Sequence, residues 1–320
     1  MQRKVLNVVV TCVLSALAMT AIAQPLAYVP NEKDGTVSVI DTVTDEVVKV
    51  LPSKNKLGKK IQAAAIHPTN HQLYVVVRDK NAVAVVDVDS GKQTALVKVG
   101  DEPEGISISP DGKLLAACLE EENAVSLVDL QTNKLQRTIP TQGQNPEHCV
   151  FSPDQQWLLA SNEKSNNVDV INLKTFKSEH LIAATKHPRG IGFSPDGQWA
   201  YVANEAASLL EIVSVADWKV VGNIKVGLRS NGVLVNADGS RVYVSNGGDH
   251  NISVIDPAAR NIVATVAVGQ RPWNMALTPD GKKLYVANGR SNSVSVIDTQ
   301  TNTKQKDIAV GQLPWGVVIQ

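Results

Sequence analysis

Seven positions recur at steps of 42 or 43 residues and carry side chains suited to binding: Gln62, Glu104, Glu147, Arg189, Asn231, Trp273 and Trp315. Five of them directly follow a proline. The slot before that proline position is filled by Lys60, Glu102, Asn145, His187, Arg229, Arg271 and Leu313. Acids, guanidiniums, amides and indoles led to one opening would form a ligand or partner site, whereas a plain water-filled opening would also be polar. Trp273 (RPWN) and Trp315 (LPWG) could stack on a ring-shaped ligand or anchor a protein, and packing on the adjacent proline is the simpler role for each.

His148 follows Glu147 in NPEH, where other repeats place Gly105, Gly190, Gly232, Gly316 or Ala63. With Glu104 and Glu147 it forms a candidate metal or proton-transfer set. The preferred reading is conformational: the slot wants a left-handed backbone, which His148 and Asn274 tolerate. His187 and His250 belong to different repeats, and no HxH or HExxH spacing supports a metal. GxSxG, GxGxxG, P-loop and EF-hand patterns are missing, so no catalytic residue and no cofactor is assigned. Glu120, Glu121 and Glu122 form a run expected in a solvated loop. The basic stretch Lys54, Lys56, Lys59 and Lys60 has no interleaved aromatics and reads the same way, not as a nucleic-acid contact.

These residues are spaced by the elements that carry them. A V-x-V-I-D-like segment recurs seven times, ending at Asp41, Asp87, Asp129, Asn172, Ser214, Asp256 and Asp298. A turn such as SPDG (109–112, 194–197) or TPDG (278–281) keeps phase with it, and so does a following apolar run such as WAYVAN or LYVAN. Each unit reads as four short strands between Gly/Pro/Asp/Asn turns, without a sustained helical period. One four-stranded sheet cannot bury both faces, and radial stacking of such units solves this. The expected fold is all-β: a seven-bladed β-propeller of four-stranded antiparallel blades. It is closed where the terminal GQLPWGVVIQ pairs with the opening LAYVPN. Connections from strand d to the next strand a, and from b to c, share one face. They vary between repeats while the opposite turns are stereotyped, so binding is expected on the variable face.

The YVAN, YVSN and YVPN segments followed by VSVID, with SPDG turns and VG-x-x-P connections, resemble the YVTN family of secreted β-propeller repeat proteins. The PWGVV ending, the NEKDGTVSVID opening and the length are similar to the PQQ-dependent catabolism-associated β-propeller subgroup. That resemblance implies a periplasmic role near quinoprotein alcohol oxidation and names no activity.

Composition narrows the remainder. Of 320 residues, 31 are Lys or Arg and 31 Asp or Glu, which argues against a dedicated nucleic-acid binder. Arg3 and Lys4, the uncharged run Val5 to Ile22 and Ala21-Ile22-Ala23 read as a cleaved secretory leader over 1–23, leaving one domain over 24–320. No later segment is long and apolar enough to span a bilayer. Cys118 and Cys149 then remain, read as buried thiols in preference to a disulfide. On the variable face, acids such as Asp101, Glu102, Glu104, Glu147 and Glu163 fall in blades two to four. Arg189, Arg229, Arg271 and Arg290 fall in blades five to seven, which predicts separate acidic and basic halves. The expectation is a periplasmic, monomeric binding or scaffold propeller whose partner is a protein or small ligand. The alternative is a metal-assisted lactonase or lyase at the channel mouth using Glu104, Glu147 and His148.

Overall fold

The VSVID-type segments alternate inward and outward residues over six positions, and both faces of each must be buried between neighbouring sheets. In the computed structural model, which describes residues 24–320, they form strand c of seven four-stranded antiparallel sheets arranged as a propeller. The expected leader over 1–23, with Cys12, lies outside the described residues. Strands a, innermost, are Ile61–Ile66, Pro103–Ile108, Pro146–Phe151, Pro188–Phe193, Ser230–Val235, Pro272–Leu277 and, in the first blade, Val318–Ile319. Among the described residues the one helical element is a short 3₁₀ turn, Arg78–Lys80, and no helix is long and apolar enough to cross a membrane.

Cores lie between blades. The space between the fourth and fifth is filled by Leu159, Val168, Val170, Ile191, Val202 and Val213, all at most 5% exposed. Each such side chain contributes about 1.5–3 kcal/mol relative to exposure, so stacking, not any single sheet, stabilises the ring. Cys118 and Cys149 sit as free thiols in one such core with Leu127, Ile139 and Phe151, as the preferred reading had it. Burial, reinforced by the adjacent Cys149, pushes the Cys118 thiol well above its usual range.

Closure is built from both ends of the chain. Leu26–Asn31 pairs with Thr36–Asp41 on one side and with Val318–Ile319 on the other. An additional bridge joins Asn31 to Pro314. On the opposite face Lys283 Nζ of the seventh blade donates to Thr42 O (2.9 Å) and Asp45 Oδ2 (2.8 Å) of the first. The terminal strand is regular over two residues only, because its upstream half departs from the ladder as the other inner strands do.

That departure positions the site. In six blades the register of strands a and b shifts just after the proline slot, between 61/64, 103/106, 146/148, 188/191, 230/233 and 272/275. The shift frees Gln62, Glu104, Glu147, Arg189, Asn231 and Trp273 from strand pairing and turns them to the channel, a common use of β-bulges beside binding sites. The opposite face is uniform. Ser109 Oγ donates to Asp111 Oδ1 (2.7 Å), and Asp87, Asp129 and Asp298 each accept turn N–H groups at 2.7–2.8 Å. Such turns close the hairpins and offer no varied chemistry.

Candidate functional site at the channel mouth

The mouth is tied together by one contact repeated in every blade. The N–H of the residue opening each b–c loop donates to the carbonyl of the residue before the proline slot. The seven pairs are Glu32–Leu313, Arg78–Lys60, Glu120–Glu102, Glu163–Asn145, Glu205–His187, Gly247–Arg229 and Gly289–Arg271. Six of the acceptors, Glu102, Asn145, His187, Arg229, Arg271 and Leu313, have φ between 45 and 61°. The left-handed position is thus the residue before the proline slot, not the His148 slot. Neither His148, Asn274 nor the equivalent glycines adopt positive φ. Where the slot holds Gly105 or Gly190, closeness excludes a side chain instead: a Cβ on Gly105 would lie 2.2 Å from Glu147 O, and one on Gly190 2.3 Å from Asn231 O.

Each of Gln62, Glu104, Glu147, Arg189, Asn231, Trp273 and Trp315 lines one recess of about 310 Å³ at the channel mouth, together with His148. Of the residues before the proline slot, Arg271 lines it too, Glu102 and His187 hold its charges from outside, and Lys60 and Arg229 project to solvent. The b–c openers Glu32, Arg78 and Glu120 complete the lining, with Glu163 and Glu205 just behind. Arg78 and Glu205 were not singled out from the sequence, although each directly follows the apolar strand of its repeat, LYVVV or YVAN. Gly247 and Gly289 take the same position in the last two blades. They make room, since a Cβ on Gly289 would lie 2.4 Å from the Trp273 ring and one on Gly247 3.1 Å from Arg271 Cδ.

Charge in the recess is interlocked and does not separate there into acidic and basic halves. Arg78 lies within the acidic blades, its Nη1 2.9 Å from Glu104, its Nη2 2.6 Å from Glu102 and in contact with Glu120. Arg189 pairs with Glu147, with Glu163 at 3.3 Å and with Glu205 at 3.0 Å. Arg271 adds a second hold on Glu205 at 2.9 Å. Burial pushes Glu205 up, yet these two guanidiniums hold it below the usual carboxylate range. Burial, with Glu120 pressed against it, pushes Glu104 well above that range. Burial also raises Glu163 and Glu32.

One oxygen each from Glu104, Glu120 and Glu147 lies within 4.8 Å of the others, a spacing able to surround a cation. Glu120, not His148, stands beside Glu104 and Glu147 where the metal alternative had placed His148. His148 stacks on Trp315 (centroids 5.8 Å, planes 25° apart), and desolvation at the channel centre pushes its pKa down to about 4. The partners come from the fourth and first blades, so their stack spans the channel. It separates the mouth from a second cavity of about 180 Å³ lined by Ala63, Ile106, Asn274 and Val317. His250 is structural: its Nδ1 accepts the Arg271 N–H at 3.3 Å, where other blades use an asparagine. The Lys54–Lys60 loop is exposed at its lysines and pinned by Leu57, which is fully buried.

A propeller with a built recess at one mouth is the class this geometry defines. The chain belongs to the YNCE-like β-propeller family, whose model matches residues 50–241. A second model, the lactonase seven-bladed β-propeller, matches residues 174–312. No curated protein matches the chain. Among solved structures it is similar to hydrazine synthase from Kuenenia stuttgartiensis, at TM-score 0.77 and 24% identity over 90% of this chain and 99% of that one. A functionally unknown protein from Desulfotomaculum acetoxidans superposes at TM-score 0.81 and 18% identity, covering 92% and 98%. The dihydro-heme d1 dehydrogenase NirN follows at TM-score 0.68 and 18% identity, covering 92% and 74%. At these identities the likeness extends to fold alone.

Proposed function

We propose that the protein is a periplasmic binding propeller that captures a small ligand or protein partner at the channel mouth and serves a quinoprotein alcohol-oxidation system. The observation that carries the binding reading is the recess itself, where residues from seven blades converge, six of them turned inward by bulges, and the charged ones are held by ion pairs. Two further features support it: a leader-like sequence over 1–23, and the similarity of its motifs to the PQQ-associated subgroup. Variable side chains on a rigid ring are where propellers place recognition. The test is retention from periplasmic extract. Protein passed through extract and desalted should retain a compound or partner that the Trp273→Ala/Trp315→Ala variant loses, with the circular dichroism spectrum unchanged. Equal retention by both would refute the reading.

The lactonase reading has one specific support, the match over 174–312 beside a trio of carboxylates able to surround a metal. Glu104, Glu120 and Glu147 all lie outside that matched stretch, and Arg78 and Arg189 already take their oxygens. Binding is therefore the better-supported function.

A further inference from the structure

Below the mouth the inner strands form a second ring. One residue beyond the seven mouth positions stand Ala63, Gly105, His148, Gly190, Gly232, Asn274 and Gly316. Five of these are glycine or alanine and leave space at the channel centre, while the other two carry an imidazole and an amide. Both polar residues line the same chamber of about 180 Å³, beneath the stack of His148 on Trp315. That volume is close to the roughly 150 Å³ of an apolar cavity that accepts benzene.

The chamber differs from the mouth in chemistry. Among the described residues no Asp, Glu, Lys or Arg lines it, and its walls include Ala63, Ile106, Met275, Trp315 and Val317. Desolvation holds His148 uncharged at neutral pH, its pKa pushed down to about 4. A charged molecule would give up its hydration here against no opposite charge, so ions are disfavoured.

Two polar groups face this apolar space without protein partners. His148 meets Ser161 Oγ through its backbone alone, and neither ring nitrogen is hydrogen-bonded among the described residues. The Asn274 amide is likewise unpaired there and stands between two glycines that make room for it. A Cβ on Gly232 would lie 3.0 Å from Asn274 Oδ1, and one on Gly316 3.1 Å from Asn274 Cβ. A neutral imidazole and an amide can each donate and accept, which suits a hydroxyl, a group that does both.

We infer that the chamber below the mouth is a second binding site, for a small uncharged hydroxyl compound of about the bulk of phenol. The apolar walls take its body, and the Asn274 amide and His148 imidazole hold its hydroxyl. The site is separate from the mouth, and its occupation does not depend on what the mouth binds. Met275 is the one methionine over 24–320, so its methyl resonance in methyl-labelled mature chain reports on this chamber. Phenol, toluene, benzoate and benzylammonium are titrated in turn. Phenol and toluene should shift the Met275 methyl signal saturably, and the two ions should not. Asn274→Gly installs the residue that four other repeats carry at this position, so the fold should hold. It should weaken phenol about fivefold or more while sparing toluene, because only phenol loses a hydrogen-bond partner. His148→Phe, which keeps a ring against Trp315, should act in the same sense. Trp273→Ala, which alters the mouth alone, should leave phenol binding unaltered. A Met275 signal unmoved by phenol, or moved equally by the ions, would overturn the inference. So would equal weakening of phenol and toluene in Asn274→Gly, or loss of phenol binding in Trp273→Ala, which would place phenol at the mouth. Asn274 does not line the mouth, so retention from extract tests that site separately.

Discussion

Glu147 is 2% exposed and, among the described residues, its one ion-pair partner is Arg189. Removing that partner leaves an uncompensated buried charge, so Arg189→Ala should cost about 3–5 kcal/mol in guanidinium unfolding. Arg189→Lys should recover only part, because a point charge cannot fork to Glu147, Glu163 and Glu205 together. A loss below about 1 kcal/mol for Arg189→Ala would contradict the network described, since a surface pair is worth no more. His148 gives a pH signature. Its folded pKa of about 4 lies below the ordinary imidazole value of 6.5, so the native state binds fewer protons than the unfolded chain between those limits. Stability is then fully present above the unfolded value and falls as pH drops towards 4. Glu104, raised in the native state, works in the opposite sense, which is why the difference between wild type and His148→Phe is the informative quantity. The wild type should lose more stability than His148→Phe on acidification through this window, and parallel curves would contradict a neutral His148. Ring positions were legible in the sequence because one side chain per repeat sits at constant phase. The pairing of Arg78 with three acids was not, since it depends on which rotamers cross between blades.

At the scale of the strand, the inner bulges and the glycines beside them decide which side chains reach the channel. Gly105 is the sharp case, because a Cβ there meets backbone, 2.2 Å from Glu147 O, and backbone cannot swing aside. Gly105→Ala should destabilise by about 1–3 kcal/mol in thermal unfolding, through overpacking. Gly281→Ala meets nothing within 4 Å and bears only the strain of φ +70°, about 1 kcal/mol. The reverse order would contradict the assignment of crowding at the mouth. Turns such as SPDG and the D-x-x-T hairpins were readable because local side chains make them. The bulges were not, because they follow from convergence of seven strands on one axis. For the same reason the left-handed backbone expected at His148 is found at residues such as Glu102 and His187, three positions earlier in their repeats.

For the molecule as a whole, closure and the division into a uniform and a variable face follow from the 42-residue repeat. Removing 314–320 should free the Leu26–Asn31 edge, open the ring and replace one cooperative melt by aggregation at lower temperature, read by calorimetry and size exclusion. A truncated chain melting as the intact one does would show that the terminal pair is dispensable. Net charge of zero describes the sum and hides the mouth, where carboxylates outnumber guanidiniums. The central claim is that the variable face is where this propeller binds, and the chain carries its own reporters. Trp273 and Trp315 line the mouth, whereas Trp157, Trp199 and Trp218 stand beside the turns of the other face. Hydroxyl-radical footprinting in periplasmic extract, read by mass spectrometry against buffer alone, should show Trp273 protected and Trp157 and Trp199 unchanged. Protection of Trp157 or Trp199 with Trp273 unaltered would place binding on the opposite face and contradict the account.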